Sequence, residues 1–388
     1  MVIGSSSETP ASHAGRSIRE AAGADGERLR VGLPLHALAG VVIGNDPATG
    51  MAAKLLLSLG VNVVHVLRDA CQATFPPSPE GDYLSSFLFR GMESIVVGAA
   101  PDRARSAIGA ADIILHSDAD ADFLGLVADR LIEKGAIIAQ ATPWGERGPR
   151  WAEPSSELIL QAAGGLVYLL GKPGRPPIML GGHQAAYSTG MQLFTGIMIA
   201  LTERDRSGVG QFVRTSYFET VAFLEWKGGT FYQADGVILE RGRSTGPLIL
   251  PTKDGHVAFY YRDIDWPRVV ELFDDDQLRN PKFDTIRGRI AHEPELTAIL
   301  EEHTRKAAKH ELYRAAQSLG IPIGSVETIR DLLDSKQYAA QHFLEACDPA
   351  DGDGCTQPSL PFTFNGRRFN SSDVGATSFG RDLAGVQK

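Results

Sequence analysis

Five short apolar runs rich in β-branched residues, at 40–43, 61–64, 94–97, 112–115 and 136–139, recur early in the chain and constrain its fold more than any other feature. Each run is apolar at consecutive positions rather than at alternate ones, so as a strand it must be covered on both faces, as in a parallel sheet. Helical spacing over 50–58 and 122–134 supplies crossovers, and parallel strands joined by helices define an α/β fold with a Rossmann-like sheet. The first strand runs into GNDPATG at 44–50, which lacks the G-x-G-x-x-G spacing of a dinucleotide turn. The second strand also ends at Leu67 instead of an acid, so this segment reads as an ordinary βα turn, with no nicotinamide or flavin role.

Further on, apolar spacing predicts a long helix over 188–205, with Gln192, Met198 and Ala200 on a mostly apolar face and an end at Arg206, Ser207 and Gly208. Ser188 and Thr189 read as its N-cap pair. The character changes after Gln233: 252–259 reads as a hairpin opening a smaller α+β unit, with helical patterns at 266–273, 293–307 and 309–319. A Gly- and Asp-rich surface loop is expected at 348–354, and the segment from Phe362 is expected to return to the first unit. The division is therefore a flexible tail at 1–30, a large domain at 31–235 joined by 346–388, and a small domain at 236–345. A chain of 388 residues with 43% hydrophobic and 22% charged content can form two such units.

A formal charge of −9 argues against a nucleic-acid partner or an anionic membrane surface, which need a concentrated positive field. Cys71, Cys347 and Cys355 have neither disulfide-framework nor zinc spacing, so a structural metal is not indicated and a reducing cytoplasm fits. The N-terminal stretch lacks the apolar core of a signal peptide, and no run reaches membrane-spanning length.

Six segments occur in an informative order: LLLSLGVNVVHV (55–66), FRGMESIVV (89–97), TPWGERGP (142–149) followed by ELILQAAGGL (157–166), PPIMLGGHQAAYSTG (176–190), GVGQFVRTSYFE (208–219) and GIPIGSV (320–326). In this order and spacing the chain resembles class III CoA-transferases such as formyl-CoA and carnitine CoA-transferases, over about residues 33–345. The resemblance implies a large domain made from both chain ends, a small domain from the middle, and two subunits interlocked as a dimer. It also implies coenzyme A or acyl-CoA as a substrate together with a carboxylic acid, and no tightly bound cofactor. In that family a carboxylate attacks the acyl-CoA thioester to give an enzyme-bound mixed anhydride and free CoA thiolate. The thiolate then returns, and an acceptor acid leaves as its CoA ester.

The family carries the attacking Asp four residues before the last glycine of the 176–190 segment, where this chain has Ala186. A methyl group can do neither half of that chemistry. Glu157, where relatives keep an acid, is the first candidate for a displaced carboxylate; the alternative is a helix-start acid that orients the site or complements a helix dipole. Glu153 is a weaker candidate, read as a solvated loop charge. His183 is a candidate general base, or else a satisfied loop histidine. Tyr187, Ser188 and Thr189 have no His and Asp partners at triad spacing. The sister racemases use a His and Asp pair, and here those positions hold Ser156 and Ala186.

For CoA, the resemblance implies contacts from Arg90, Gly91, Met92, Trp144, Gly145 and Gln184, with Arg90 suited to phosphate. The basic pair usual after Arg90 is Met92 and Glu93, and an arginine expected in the first βα loop is Asn45. Arg241 and Arg243 in RGRSTGP (241–247) stand where a glycine-rich loop closes over the family's site; the alternative is a solvated turn. Three functions fit these residues. One is an Asp-lacking subunit that works with a homologous Asp-bearing chain. Another is a self-contained acyl-CoA isomerase, lyase, hydrolase or transferase using Glu157 or His183. The third is a non-catalytic CoA-binding protein, alone or as its own dimer.

Overall fold

The structure, a computed structural model, describes residues 32–68, 79–117, 128–172, 174–239, 241, 248–346 and 356–369. The predicted tail at 1–30, the loop at 348–354, all three cysteines and Arg243 lie outside these residues. The chain begins with β1 (Ala39–Ile43), α1 (Pro47–Ser58), β2 (Asn62–Leu67), α2 (Pro79–Phe89), β3 (Glu93–Val96), α3 (Pro101–Ala110), β4 (Ile113–Ser117), α4 (Ala128–Glu133) and β5 (Ile137–Thr142). It continues with α5 (Glu157–Ala163), α6 (Leu166–Leu169), α7 (Gln184–Ser207), β6 (Gln211–Ser216), α8 (Tyr217–Leu224) and α9 (Trp226–Asp235).

The strands form one parallel sheet in the order β3-β2-β1-β4-β5-β6, the doubly wound arrangement with its switch point between β1 and β4. All five predicted strands are present, each within a few residues of its apolar run. The sixth was not evident, because QFVRTS pairs only with β5 and buries just Ser216 fully, so its sequence carries no apolar run. One core cluster lies on the α1, α2 and α7 face and includes Val63, Leu88, Phe89, Met92, Leu193 and Ile197; another lies beneath α3 and α4.

Two helix starts differ from the spacing-based reading. Helix α1 begins at Pro47, three residues before the predicted start, because Asp46 Oδ1 accepts the backbone N–H groups of Ala48 and Thr49, both at 3.0 Å. An Asp followed by Pro at the first helical position is a strong start signal. Helix α7 begins at Gln184, and Ser188 and Thr189 are not its cap. Thr189 is interior, with its hydroxyl donating to the Ala185 carbonyl one turn back at 2.7 Å. The predicted end holds: Gly208 caps α7 at φ 74°, a left-handed conformation that glycine adopts without strain.

Beyond residue 247 come β7 (Leu248–Thr252), β8 (Gly255–Phe259), α10 (Trp266–Phe273), α11 (Ile286–Ala291), α12 (Glu293–Thr304), α13 (Lys309–Ser318) and β9 (Ile323–Ser325). The hairpin β7–β8 forms as expected, and the GIPIGSV segment adds β9 antiparallel to β8 instead of forming only a turn. These elements share a separate core around Leu250, Phe259, Trp266 and Leu300. Four short elements follow: α14 (Ile329–Leu333), α15 (Lys336–Ala340), β10 (Leu344–Ala346) and β11 (Thr356–Pro358). Leu360 and Phe369 then pack against Leu55 of α1 and Leu59, its C-cap. No helix among the described residues is long and apolar enough to cross a membrane.

Candidate active site at the carboxyl edge of the sheet

The carboxyl ends of β1, β5 and β6 lead directly into Asp46, Trp144 and Tyr217, so three loops converge on one edge, where ligands enter doubly wound sheets. Helix α5 brings in the fourth component. Ser156 caps it, its hydroxyl accepting the Ile159 N–H at 3.3 Å, and this places Glu157 in the first turn.

Glu157 does not point at open space. Its Oε1 accepts the Ala185 N–H at 2.6 Å and its Oε2 the Ala186 N–H at 3.2 Å. His183, at the N-cap position of α7, gives no side-chain cap, so Glu157 supplies it from another helix. Buried Gln161 fixes the assembly: its Nε2 donates to Glu157 Oε1 at 2.8 Å and to the Leu180 carbonyl at 3.3 Å, and its Oε1 accepts the Leu180 N–H at 3.0 Å. The carboxylate therefore neutralises the positive end of α7.

Ala186 is only 1% exposed and belongs to the same apolar cluster as Trp144, Leu160 and Tyr217. His183 is half-buried, its ring tilted against that of Tyr187 at 6.1 Å between centroids. Burial, and secondarily the Glu157 charge, raises the Tyr187 phenol above its ordinary range. Tyr217 is buried; its hydroxyl donates to Asp46 Oδ2 at 2.6 Å and accepts the Ala48 N–H at 3.3 Å. Burial first, and the adjacent Asp46 next, push its pKa well up, so it remains a neutral donor. Asp46, Gln161 and Tyr217 were missed as site residues. The Asp-Pro dipeptide was the one local signal for Asp46, whereas nothing in the spacing links Tyr217 to a loop 171 residues away.

Of the remaining candidates, Gln184 is exposed at the first position of α7, and Gly145, at φ 92°, donates its N–H to Thr142 Oγ1 at 3.1 Å. Trp144 is largely buried, with its indole N–H on the Glu153 carbonyl at 3.0 Å and the Arg150 guanidinium 3.7 Å from its ring centroid. Glu153 itself pairs with Arg150 at 2.7 Å on the surface. Arg90 is half-buried after α2, with Nη2 on Ser86 Oγ at 2.8 Å, and Gly91 follows at φ 85°. Met92 is 1% exposed and lies in the same core cluster as Ala186; Glu93 pairs with Arg103. Arg241 is half-buried in a turn, its guanidinium donating to the Tyr168 carbonyl at 2.7 Å. Glu157, His183, Ala186 and Tyr187 thus share one end of α7, while Arg241 contacts α6 at Tyr168 and the loop after it at Arg175. The remaining acidic group with metal-ligand spacing among the described residues, His310, Glu327 and Asp331, already holds the Lys309 ammonium between its carboxylates.

The chain belongs to CoA-transferase family III, whose sequence pattern matches residues 48–374. It is 28% identical over 352 residues to the succinyl-CoA:(R)-benzylsuccinate CoA-transferase subunit BbsE of Thauera aromatica, covering 80% of this chain and 84% of that protein. It is 23% identical over 345 residues to the succinate–glutarate CoA-transferase of Agrobacterium fabrum, covering 82% and 86%. The crystal structure of a CaiB/BaiF family protein from Brucella suis superposes with a TM-score of 0.76 over 91% of this chain and 98% of that one, at 23% identity, and so shares the fold.

Proposed function

We propose that this chain is the nucleophile-free subunit of a heteromeric CoA-transferase, shaping the acyl-CoA pocket while a homologous chain supplies the attacking Asp. The observation that carries this reading is the pairing of Ala186 with Glu157. The methyl group occupies the position of the family's nucleophile, and both oxygens of the nearest carboxylate are engaged in capping α7. A carboxylate whose two oxygens both accept backbone hydrogen bonds has its lone pairs engaged and is a poor attacking group. His183 has a ring contact to Tyr187 and, among the described residues, no carboxylate to orient it as in a catalytic pair. A Thauera relative named as a subunit agrees with this division of labour.

The site in this reading is completed by association, as an interlocked pair of unlike chains built from the 31–235 and 346–388 domain and the 236–345 domain. Native mass measurement of the complex recovered from its own host through a tag on this chain tests it. An unlike family member in stoichiometric amount supports the reading. A homodimer that forms a hydroxylamine-sensitive adduct on Glu157 when given acyl-CoA overturns it in favour of a self-contained enzyme.

A further inference from the structure

We propose that the Tyr187 hydroxyl recognises the carbonyl oxygen of a bound acyl thioester by donating a hydrogen bond to it, with Phe87 and His183 holding its ring in place. The inference rests on the acyl-CoA reading above.

Ala186 is 1% exposed, so the methyl group at the nucleophile's position presents almost no surface to a ligand. The next residue does. Tyr187 is half-buried one position further along α7; part of its ring packs against the core cluster that holds Ala186, and part stays open. Two elements fix that ring. Phe87 of α2 meets it edge-on, with centroids 6.4 Å apart and planes at 68°, and His183 at the N-cap position of α7 leans on it at 6.1 Å and 59°. Ring pairs at such separations and angles attract, and a tyrosine has few torsions to order, so the hydroxyl is carried on a rigid arm.

The buried polar side chains around it are engaged with one another or with backbone. Gln161 holds Glu157 and Leu180, Thr189 donates to the Ala185 carbonyl, and Tyr217 donates to Asp46. The Tyr187 hydroxyl differs, because it makes no hydrogen bond with any described residue. A tyrosine so far withdrawn from water ordinarily finds a partner for its O–H, so this one is left for a ligand. Glu157 selects the kind of acceptor. Burial, and after it the Glu157 charge, raises the phenol above its ordinary range, so the hydroxyl stays protonated and able to donate. The same negative charge repels an anionic acceptor and leaves a neutral carbonyl oxygen favoured. An acyl thioester offers that oxygen, and the rings of Phe87, Tyr187 and His183 offer an apolar wall to the carbon atoms beside it.

The test is isotope-edited infrared spectroscopy of the tag-purified native complex with acetyl-dethia-CoA, a ketone in which a methylene replaces the thioester sulfur, so that it cannot be cleaved. Its carbonyl carries the isotopic label. Tyr187→Phe keeps the ring contacts and removes only the hydroxyl, so it should melt like wild type. In wild type the bound carbonyl band is expected below its frequency in a solvent without donors, and in Tyr187→Phe it should return toward that frequency. By titration calorimetry the same substitution should weaken the ketone about fivefold or more, while S-ethyl-CoA, which has no carbonyl, should bind both proteins alike. A wild-type band at the donor-free frequency, or one that Tyr187→Phe leaves unmoved, overturns the assignment; binding of the ketone then leaves the acyl-CoA reading standing. Wild type that binds neither compound overturns that reading and the assignment together. Should Tyr187→Phe fail to fold, Tyr187→Leu is read in the same way.

Discussion

At the scale of single residues, Glu157 and His65 carry opposite lessons about buried polar groups. Glu157 stabilises α7 from outside, so Glu157→Ala should cost about 1–2 kcal/mol in urea unfolding, the usual range for a lost N-cap. Glu157→Gln, whose amide oxygen can still accept, should cost less. In the heteromeric reading both variants keep the chemistry, since the attacking carboxylate belongs to the partner. His65 is stacked on Phe89 at 4.1 Å, donates Nε2–H to the Gly44 carbonyl at 2.8 Å, and burial lowers its pKa to about 4. Between about pH 6.5 and 4 the unfolded chain binds a proton that the folded one does not, so stability falls as pH falls through that window. The full shift corresponds to about 3 kcal/mol. Unfolding curves at pH 7 and pH 4.5 should therefore separate more for wild type than for His65→Gln.

At the scale of elements, the seam between α1 and α7 sets the geometry of the site edge. A Cβ at Gly190 would stand 2.5 Å from the Ala48 carbonyl oxygen and 2.7 Å from Met51 Cβ, so this glycine lets the two helices approach closely. Gly190→Ala should force them apart and lower stability by about 1–3 kcal/mol, with a matching drop in melting temperature. This seam also explains what the sequence could and could not reveal. The four inner strands were legible because burial on both faces demands apolar residues throughout, and the edge strand β3 because it keeps the run SIVV; the hairpin, three of the helices after it and the glycine stop of α7 follow local rules. The other edge strand, β6, was not, because QFVRTS interleaves polar residues and buries only Ser216 fully. The start of α7 was misplaced because its cap comes from a carboxylate 28 residues upstream, and no local spacing records such a contact.

At the scale of the whole molecule, the distribution of apolar surface bears on whether this chain acts alone. Phe223 is 72% exposed, Trp226 57%, and Tyr232 and Ile238 are also largely exposed along and just after α8 and α9, a concentration that single chains rarely leave to water. Aromatic residues in such a setting contribute disproportionately to subunit contacts. If the site is completed by a second chain seated there, Phe223→Arg combined with Trp226→Glu should shift the recovered complex to single-chain mass by size-exclusion light scattering. Those side chains lie outside the core clusters, so the far-UV dichroism and melting of the released chain should indicate an intact sheet. Transferase activity should then disappear with the complex instead of persisting in the monomer, because neither Ala186 nor the engaged Glu157 can form the anhydride. Introducing Ala186→Asp into that released chain probes the same point from the other side. The new carboxylate enters a buried position beside Glu157, where burial and like charge hold its pKa up, so the variant should lose stability as pH rises past the ordinary carboxylate range near 4. A released chain that keeps full activity with Ala186 in place would mean that the chemistry lies within this subunit after all.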